Sequence, residues 1–486
     1  MMCSKKSLGS YSIYKFNLHD YTDVLRRRCE IFLIKSWSIT RQITFSFALV
    51  ILIGSVLLSL PISQYQNNYH TTYLDNLFNV ISMVCVTGLS IAPISEIYNG
   101  IGQTISIILM QIGGLGLITL IAFGVFALQK KMNFAGHTLL QSALNRKDSK
   151  NLKEYLFFAY KITIIIESLF GIIIMTDFIP RFGIKHGIFN SIFLTVSAFC
   201  NAGFDNFGSS SLNAFVLNPT INFSVSALII FGGIGFAVWD DVIANLKRLF
   251  FSKPVGHGVF YKKLSNQTRL ILQTTVIILF LGTLLTWYLE KDNPKTISNY
   301  TFPQQIMVSF FQTVTMRTAG FSTISFKDTF APTNFIYMFQ MIIGGGPGGT
   351  AGGIKVTTFA IAFLLIKSEL VGQSLVTFSH RVIASKTVKQ TISVLLFFIT
   401  ILVIGYTLLL SFEPNLDPFS LLFETISAMN TVGVTMDLTS KLSTQGRIII
   451  MLLMFIGRVG PITFLFSLIQ KKEKNINYAE TDILVG

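Results

Sequence analysis

The sequence predicts an all-α membrane protein in which eight transmembrane helices form four parallel helix–re-entrant pore loop–helix repeats around a pseudo-fourfold central pore. Three observations predict it: a composition too apolar for water, eight long apolar runs with basic residues on alternate connections, and a glycine-centred segment that recurs four times. Of 486 residues, 51% are hydrophobic and 13% charged, and mean hydropathy is +0.60. Soluble proteins carry about 25% charged residues, so the composition excludes an ordinary cytosolic enzyme, a disordered chain and a secreted disulfide scaffold.

The apolar runs begin near Ile43, Ile101, Tyr155, Phe223, Ile271, Phe335, Val388 and Ile448. The first, Ile43 to Leu60, is long enough to cross roughly 30 Å of hydrocarbon as a helix. Between paired runs lie segments near 75–90, 187–204, 303–321 and 417–434, each too short and too polar to span. These are candidate re-entrant loops. Of the 38 Lys and Arg, 27 fall in the N-terminal segment, in the connections after the second, fourth and sixth runs, and in the tail. The positive-inside rule makes that side cytoplasmic, so the re-entrant segments enter from outside. The net charge of +15 is then topogenic, and the expected partner is the lipid bilayer, not nucleic acid.

The organisation that follows is a cytoplasmic N-terminal segment 1–41, repeats at 42–130, 154–250, 268–367 and 386–470, and a cytoplasmic tail 471–486. The basic, polar first forty residues contain no apolar core long enough for a cleavable leader. Cys3, Cys29, Cys85 and Cys200 match neither a zinc pattern nor a disulfide framework.

The re-entrant segments end in Val86-Thr87-Gly88-Leu89, Asn201-Ala202-Gly203-Phe204, Thr318-Ala319-Gly320-Phe321 and Thr431-Val432-Gly433-Val434, with successive glycines 115, 117 and 113 residues apart. Ten residues before each glycine stands a phenylalanine (Phe78, Phe193, Phe310, Phe423), and six before it Ser82, Ser197, Val314 or Ser427. A second glycine cluster follows in each copy: Gly113-Gly114-Leu115-Gly116, Gly232-Gly233-Ile234-Gly235, Gly344-Gly345-Gly346-Pro347 and Gly457-Arg458-Val459-Gly460. Four such units in one chain can surround a single axis.

A half-helix entering from outside points its partly negative C-terminal end at the membrane centre, where it favours a cation. An extended strand at that depth is tolerated only where it lines a watery path. Glycine lets successive carbonyls turn one way, and a ring of those oxygens can replace a cation's hydration shell. The four strands hold no carboxylate except the flanking Asp205, so carbonyl dipoles must select, which favours K+ over Ca2+ or Mg2+. The sixteen residues quoted above are therefore the candidate ion-binding set. Single glycines in membrane segments usually serve close helix packing, but four in register do not fit that reading.

The fourth strand, Thr431-Val432-Gly433-Val434, resembles the filter of K+ channels, and the other three are degenerate versions of it. Four non-identical pore units, together with the stretches Arg317 to Phe321, Gly344 to Lys355 and Ile456 to Pro461, resemble the Trk/Ktr/HKT superfamily of K+ transporters over residues 43–470. With no further apolar run in residues 1–41, the chain is most similar to the bacterial Ktr membrane subunit. The resemblance implies K+-selective uptake across the bacterial plasma membrane, with Gly88 at the position that can be serine in Na+-favouring HKT members. It also implies a homodimer, a cytoplasmic nucleotide-binding regulatory ring of the KtrA/TrkA kind, and Na+ as an activator, for which no residue signature is legible. No organic cofactor is expected in this chain.

Below the strands, a continuous helix from Thr333 to Ile366 would be about 51 Å long, well beyond what the bilayer needs. Its middle reads Gly344-Gly345-Gly346-Pro347-Gly348-Gly349-Thr350-Ala351-Gly352-Gly353; keeping this helical costs roughly 10 kcal/mol, so the helix should break into a flexible loop lining the aqueous path. Two readings stand, a gate and a passive kink, and the family resemblance supports the gate. It is no phosphate-binding loop, because Ile354 separates Gly353 from Lys355. Arg458 lies about 20 Å from the cytoplasmic end of its helix, too deep to snorkel, and should face water or a carboxylate. It is read with Lys355 as a positive barrier beneath the strands, with a structural ion pair as the alternative. Arg317 is expected to brace the third strand through hydrogen bonds, Glu167 and Glu424 to serve buried donors, and Asp240 and Asp241 to lie at the cytoplasmic surface. A secondary transporter of inverted repeats is disfavoured because all four units run parallel. A membrane enzyme is disfavoured because neither HExxH, GxSxG nor clustered histidines occur.

Overall fold

A computed structural model describes residues 39–65, 71–116, 152–208, 210–251 and 261–460. The expected cytoplasmic tail 471–486, nearly all of the N-terminal segment 1–41 and most of the connection after the second apolar run lie outside the described residues. The first repeat contains α1 (Ile39–Ser59), α2 (Tyr73–Val84), the single turn α3 (Ile94–Ile97) and α4 (Gly100–Leu115). The second contains α5 (Leu152–Cys200), α6 (Pro219–Ile234) and α7 (Phe236–Phe251). The third contains α8 (Asn266–Glu290), α9 (Phe302–Thr315), α10 (Ala331–Ile342) and α11 (Val356–Leu370). A two-stranded hairpin, β1 (Thr377–Phe378) with β2 (Arg381–Val382), leads to the fourth, made of α12 (Ser385–Phe412), α13 (Pro418–Met429) and α14 (Thr444–Val459).

Local signals explain the half-helices α2, α9 and α13. Thr72 and Asp75 form a reciprocal capping box at the start of α2. Asp417 accepts the Ser420 N–H at 2.8 Å at the start of α13, where Pro418 occupies the first helical position. The corresponding half-helix of the second repeat is the C-terminal part of α5, set off by Gly183, whose φ of +78° breaks the 49-residue stretch. Phe78, Phe193 and Phe423 are buried, while Phe310 is half-buried. Leu396, Ile399, Val403, Ile404 and Leu408 of α12 face outward, as expected of a helix solvated by lipid.

Among the described residues, three helices are long and apolar enough to cross a membrane, or four if the bent pair α6–α7 counts as one span. Glycines interrupt several of the apolar runs. The inner helices α4, α6 and α14 stop at Gly116, Gly235 and Gly460, with φ of +84°, +103° and +91°. Beyond Gly235 the chain turns by 97° into α7. Upstream glycines bring backbone against backbone: a Cβ on Gly113, Gly232 or Gly457 would strike the carbonyl oxygen of Val84, Phe199 or Met429, each four residues before a strand glycine. The inner helices are thus packed directly onto the C-terminal turns of the half-helices.

This contact makes a stability prediction. Gly232→Ala forces a methyl group into the Phe199 carbonyl and should lower thermal stability of the detergent-purified protein by about 1–3 kcal/mol or prevent folding. Gly100→Ala, where nothing lies within 4 Å, should leave the melting temperature unchanged.

Candidate functional site

The four post-helix strands share one backbone shape. Two positions in each have positive φ: Val86 (+57°) and Gly88 (+100°), Asn201 (+58°) and Gly203 (+72°), Thr318 (+68°) and Gly320 (+89°), Thr431 (+52°) and Gly433 (+93°). The non-glycine members sit in a region costing about 1–3 kcal/mol each, unusual for β-branched residues. Identical strain at identical offsets shows that the four strands take the same path.

They also meet. A Cβ on Gly88 would lie 2.9 Å from the Ala202 oxygen, one on Gly203 2.7 Å from the Ala319 oxygen, and one on Gly320 2.7 Å from the Val432 oxygen. One on Gly433 would strike the Thr87 oxygen and lie 2.8 Å from Gly88 Cα, so the order closes from the fourth copy onto the first. The structure therefore gathers residues 86–89, 201–204, 318–321 and 431–434 around one centre, with no room there for a side chain.

The recurrent serine supplies the orientation. Gly88 N–H donates to Ser82 Oγ at 3.1 Å, Gly433 N–H to Ser427 Oγ at 3.1 Å, and Phe204 N–H to Ser197 Oγ at 2.9 Å. In a trans peptide the carbonyl points opposite the N–H. Turning these amides back toward the half-helices therefore aims the oxygens of Thr87, Val432 and Gly203 forward. Sequence reasoning noted the serine spacing but not this role. The third copy departs: Val314 offers no hydroxyl, and Arg317, expected to brace the strand, makes one long bond to Thr275 Oγ1 (3.4 Å) while its Nε has no partner.

The strands carry uncommitted oxygens. The hydroxyls of Thr87, Thr318 and Thr431 are buried without a hydrogen-bond partner among the described residues. A cavity of about 580 Å³ reaches all four glycines and includes Asp205 and Asp437 in its wall. Asp205 is committed to Ser211 Oγ (2.7 Å) and Phe207 N–H (3.1 Å). Glu424 accepts from Thr439 Oγ1 at 2.5 Å and Glu167 from Gln111 Nε2 at 3.2 Å, both as partners of nearby donors.

On the opposite side lies the 344–353 segment. The helix ends at Ile342 and resumes at Val356. The helix breaks as expected, and the segment is largely buried and anchored at many points. Gly346 N–H donates to Gly233 O (2.7 Å), Thr350 N–H to Gly232 O (3.1 Å) and Thr350 Oγ1 to Phe199 O (3.0 Å). A Cβ on Gly353 would lie 3.2 Å from Asn430 Oδ1, and one on Gly352 would strike Thr431 Oγ1. Gly344 pairs with Ile354, Val356 N–H donates to Gly345 O, Phe236 N–H to Gly348 O and Gly349 N–H to Gly346 O. Pro347 O faces Gly235, and Ala351 packs near Gly233. The segment thus spans from the second repeat to the fourth.

Arg458 is half-buried, and its partners among the described residues are carbonyl oxygens, with no carboxylate among them. It donates to Thr350 O at 2.5 Å, to Gly114 O at 3.1 Å and to Gly113 O. These last two carbonyls end α4, where helix termination leaves oxygens free and the helix dipole is negative. Lys355 Nζ donates to Ala351 O at 2.7 Å. Arg458 therefore joins the first repeat, the fourth repeat and the 344–353 segment.

Some supporting residues were missed by sequence reasoning. Arg447 pairs with Asp75 at 2.6 Å across 372 residues and also donates to Leu442 O. The pair clasps the first repeat to the fourth, a seam that no chain connection bridges. Buried Glu290 accepts from Thr333 Oγ1 (2.5 Å), Phe330 N–H (2.9 Å), Asn293 Nδ2 and Thr296 Oγ1, and Glu413 accepts Ser443 N–H (2.7 Å). Each carboxylate ties an outer helix to the start of its inner helix.

The family model for TrkH, a cation transport protein, matches residues 29–478. The chain belongs to the TrkH family. Such proteins are transporters, so this member is not an enzyme. Ktr system potassium uptake protein B of Bacillus subtilis (strain 168) is 34% identical over 445 residues, covering 91% of this chain and 96% of its own. Potassium/sodium uptake protein NtpJ of Enterococcus hirae is 35% identical over 460 residues, covering 93% and 98%. The fold matches the crystal structure of the potassium transporter TrkH from Vibrio parahaemolyticus, with a TM-score of 0.66 at 19% identity over 87% of this chain and 84% of that one.

The clasp and the serine cradle yield separable predictions for this TrkH-family chain. Asp75→Asn should destabilise the protein by about 1–3 kcal/mol, because Arg447 loses its anionic acceptor in a half-buried site. Ser427→Ala should cost a similar amount, about 1–3 kcal/mol, by orphaning the buried Gly433 N–H. Thermal unfolding in detergent measures both.

Proposed function

We propose that this chain is the membrane subunit of a bacterial potassium-uptake system and carries K+ through a filter of backbone oxygens. The observation that carries this reading is the closed ring of four glycine segments, each with the same alternating backbone and no carboxylate. Four half-helix C-termini face the ring and add negative potential. The relatives named for potassium uptake span nearly the whole chain, which supports the same cargo. Eight membrane-crossing segments in four parallel repeats, with both termini in the cytoplasm of a plasma membrane, fit the charge distribution.

In this reading the residues act in sequence along one path. The mouth around Asp205 and Asp437 concentrates cations. The strands then replace hydration water with carbonyls and threonine hydroxyls. The 344–353 segment blocks the path below, and Arg458 pins it through Thr350 while adding positive charge under the filter. A cytoplasmic nucleotide-binding ring releases that segment, and two copies of the chain pair side by side, as in Ktr-type systems. Because one relative is named for potassium and sodium together, Na+ is a second cargo or an activator to be tested beside K+.

Expression in a bacterium lacking its own K+ uptake should restore growth at low K+, and purified protein in liposomes should pass K+ faster than Na+. Insertion without rescue, or equal fluxes for the two ions, contradicts the proposal. Arg458→Gln should raise K+ flux measured without any regulatory subunit by roughly tenfold, the effect of about 1.4 kcal/mol removed from a barrier. Unchanged flux at equal protein level removes Arg458 from the gate.

A further inference from the structure

The third repeat breaks the symmetry of the ring in a specific way. In the other repeats a serine hydroxyl six residues before the glycine accepts an amide N–H. Here that position is Val314, and the hydroxyl has moved one residue along, to Thr315. Met83, Ala198 and Ala428 occupy the equivalent of Thr315 elsewhere, and none carries a hydroxyl. The displaced hydroxyl has also reversed its role. Thr315 Oγ1 donates to the carbonyl oxygen of Phe321 at 2.7 Å in a buried site.

Phe321 directly follows Gly320, so its carbonyl belongs to the outermost level of the strand. Leu89, Phe204 and Val434 hold the same level in the other repeats, and no donor reaches their carbonyl oxygens among the described residues. The Phe321–Ser322 peptide is held from its other face as well. Ser322 N–H lies 3.5 Å from Ser211 Oγ, and on the next peptide Leu212 N–H donates to Ser322 O at 3.0 Å. At this level the third repeat's carbonyl is committed to Thr315, and the N–H of the same peptide faces Ser211, whereas no donor reaches the oxygens of its counterparts among the described residues.

We propose that Thr315 withdraws the Phe321 carbonyl from the ion path and leaves the outermost ring of the filter with three oxygens instead of four. This rests on the filter reading given above. A three-oxygen ring strips less water from an arriving cation and holds it less tightly, so K+ binds weakly at the entrance and moves on. Thr315 is thus a positioning residue that sets entry affinity, although it does not touch the ion.

The test is K+ flux by the full chain in liposomes as a function of external K+, comparing wild type with Thr315→Val and Thr315→Ser. Valine keeps the shape but removes the donor, so the orphaned Phe321 oxygen gains from turning to the cation. KM for K+ should fall by about threefold to tenfold, the effect of one additional charge-assisted contact. Serine keeps the donor and should retain the wild-type KM. Should the valine variant not fold, Thr315→Ala removes the same donor and is expected to lower KM likewise. An unchanged or raised KM in the donorless variant, at equal protein level and with wild-type K+ flux intact, overturns the inference and leaves the filter reading standing. Absence of K+ flux in the wild type overturns the filter reading itself.

Discussion

The structure depends on one constraint: backbone polar groups at membrane depth must find partners, and here serine hydroxyls take strand N–H groups in three repeats, while a strand oxygen is taken by a side chain, that of Thr315, in the third. Ser82, Ser197 and Ser427 take up strand amides from behind, and the trans peptide then fixes where the preceding carbonyls point. The positive φ values at Val86, Thr318 and Thr431 are tolerated because the half-helix ends and the adjoining strands over-determine the path. A cation is the group that such forward-facing oxygens, with unpartnered threonine hydroxyls beside them, are suited to hold.

Everything beneath the ring follows from backbone proximity. Gly113, Gly232 and Gly457 let three inner helices touch carbonyls at the ends of three half-helices. The fourth inner helix cannot do this in the same manner, since Gly344 approaches Gly352 O instead of a half-helix. Its interrupted middle crosses toward the second and fourth repeats. The segment is held by hydrogen bonds to Gly232, Gly233 and Phe199 and by one arginine, a discrete set of contacts.

Much of this was legible in the sequence because repeats and glycine spacing survive without any contact information. The four strands and the interruption at 344–353 came from spacing and composition. What could not be read were pairings between distant residues. Asp75 and Arg447 are 372 residues apart, and nothing local marks them as partners. The carbonyl partners of Arg458 were not legible, because the end of α4 at Leu115 falls inside an apolar run that continues as sequence. Thr315 escaped notice because its hydroxyl sits one residue off the repeating position.

The central claim is that residues 88, 203, 320 and 433 surround a single cation. Anomalous scattering from crystals of the full chain grown in Rb+ measures this directly. The account predicts Rb+ density on the axis of the four strands, within coordination distance of oxygens from all four repeats below the outermost level. Density confined to the cavity around Asp205 and Asp437, or strands too far apart to share an ion, would contradict it.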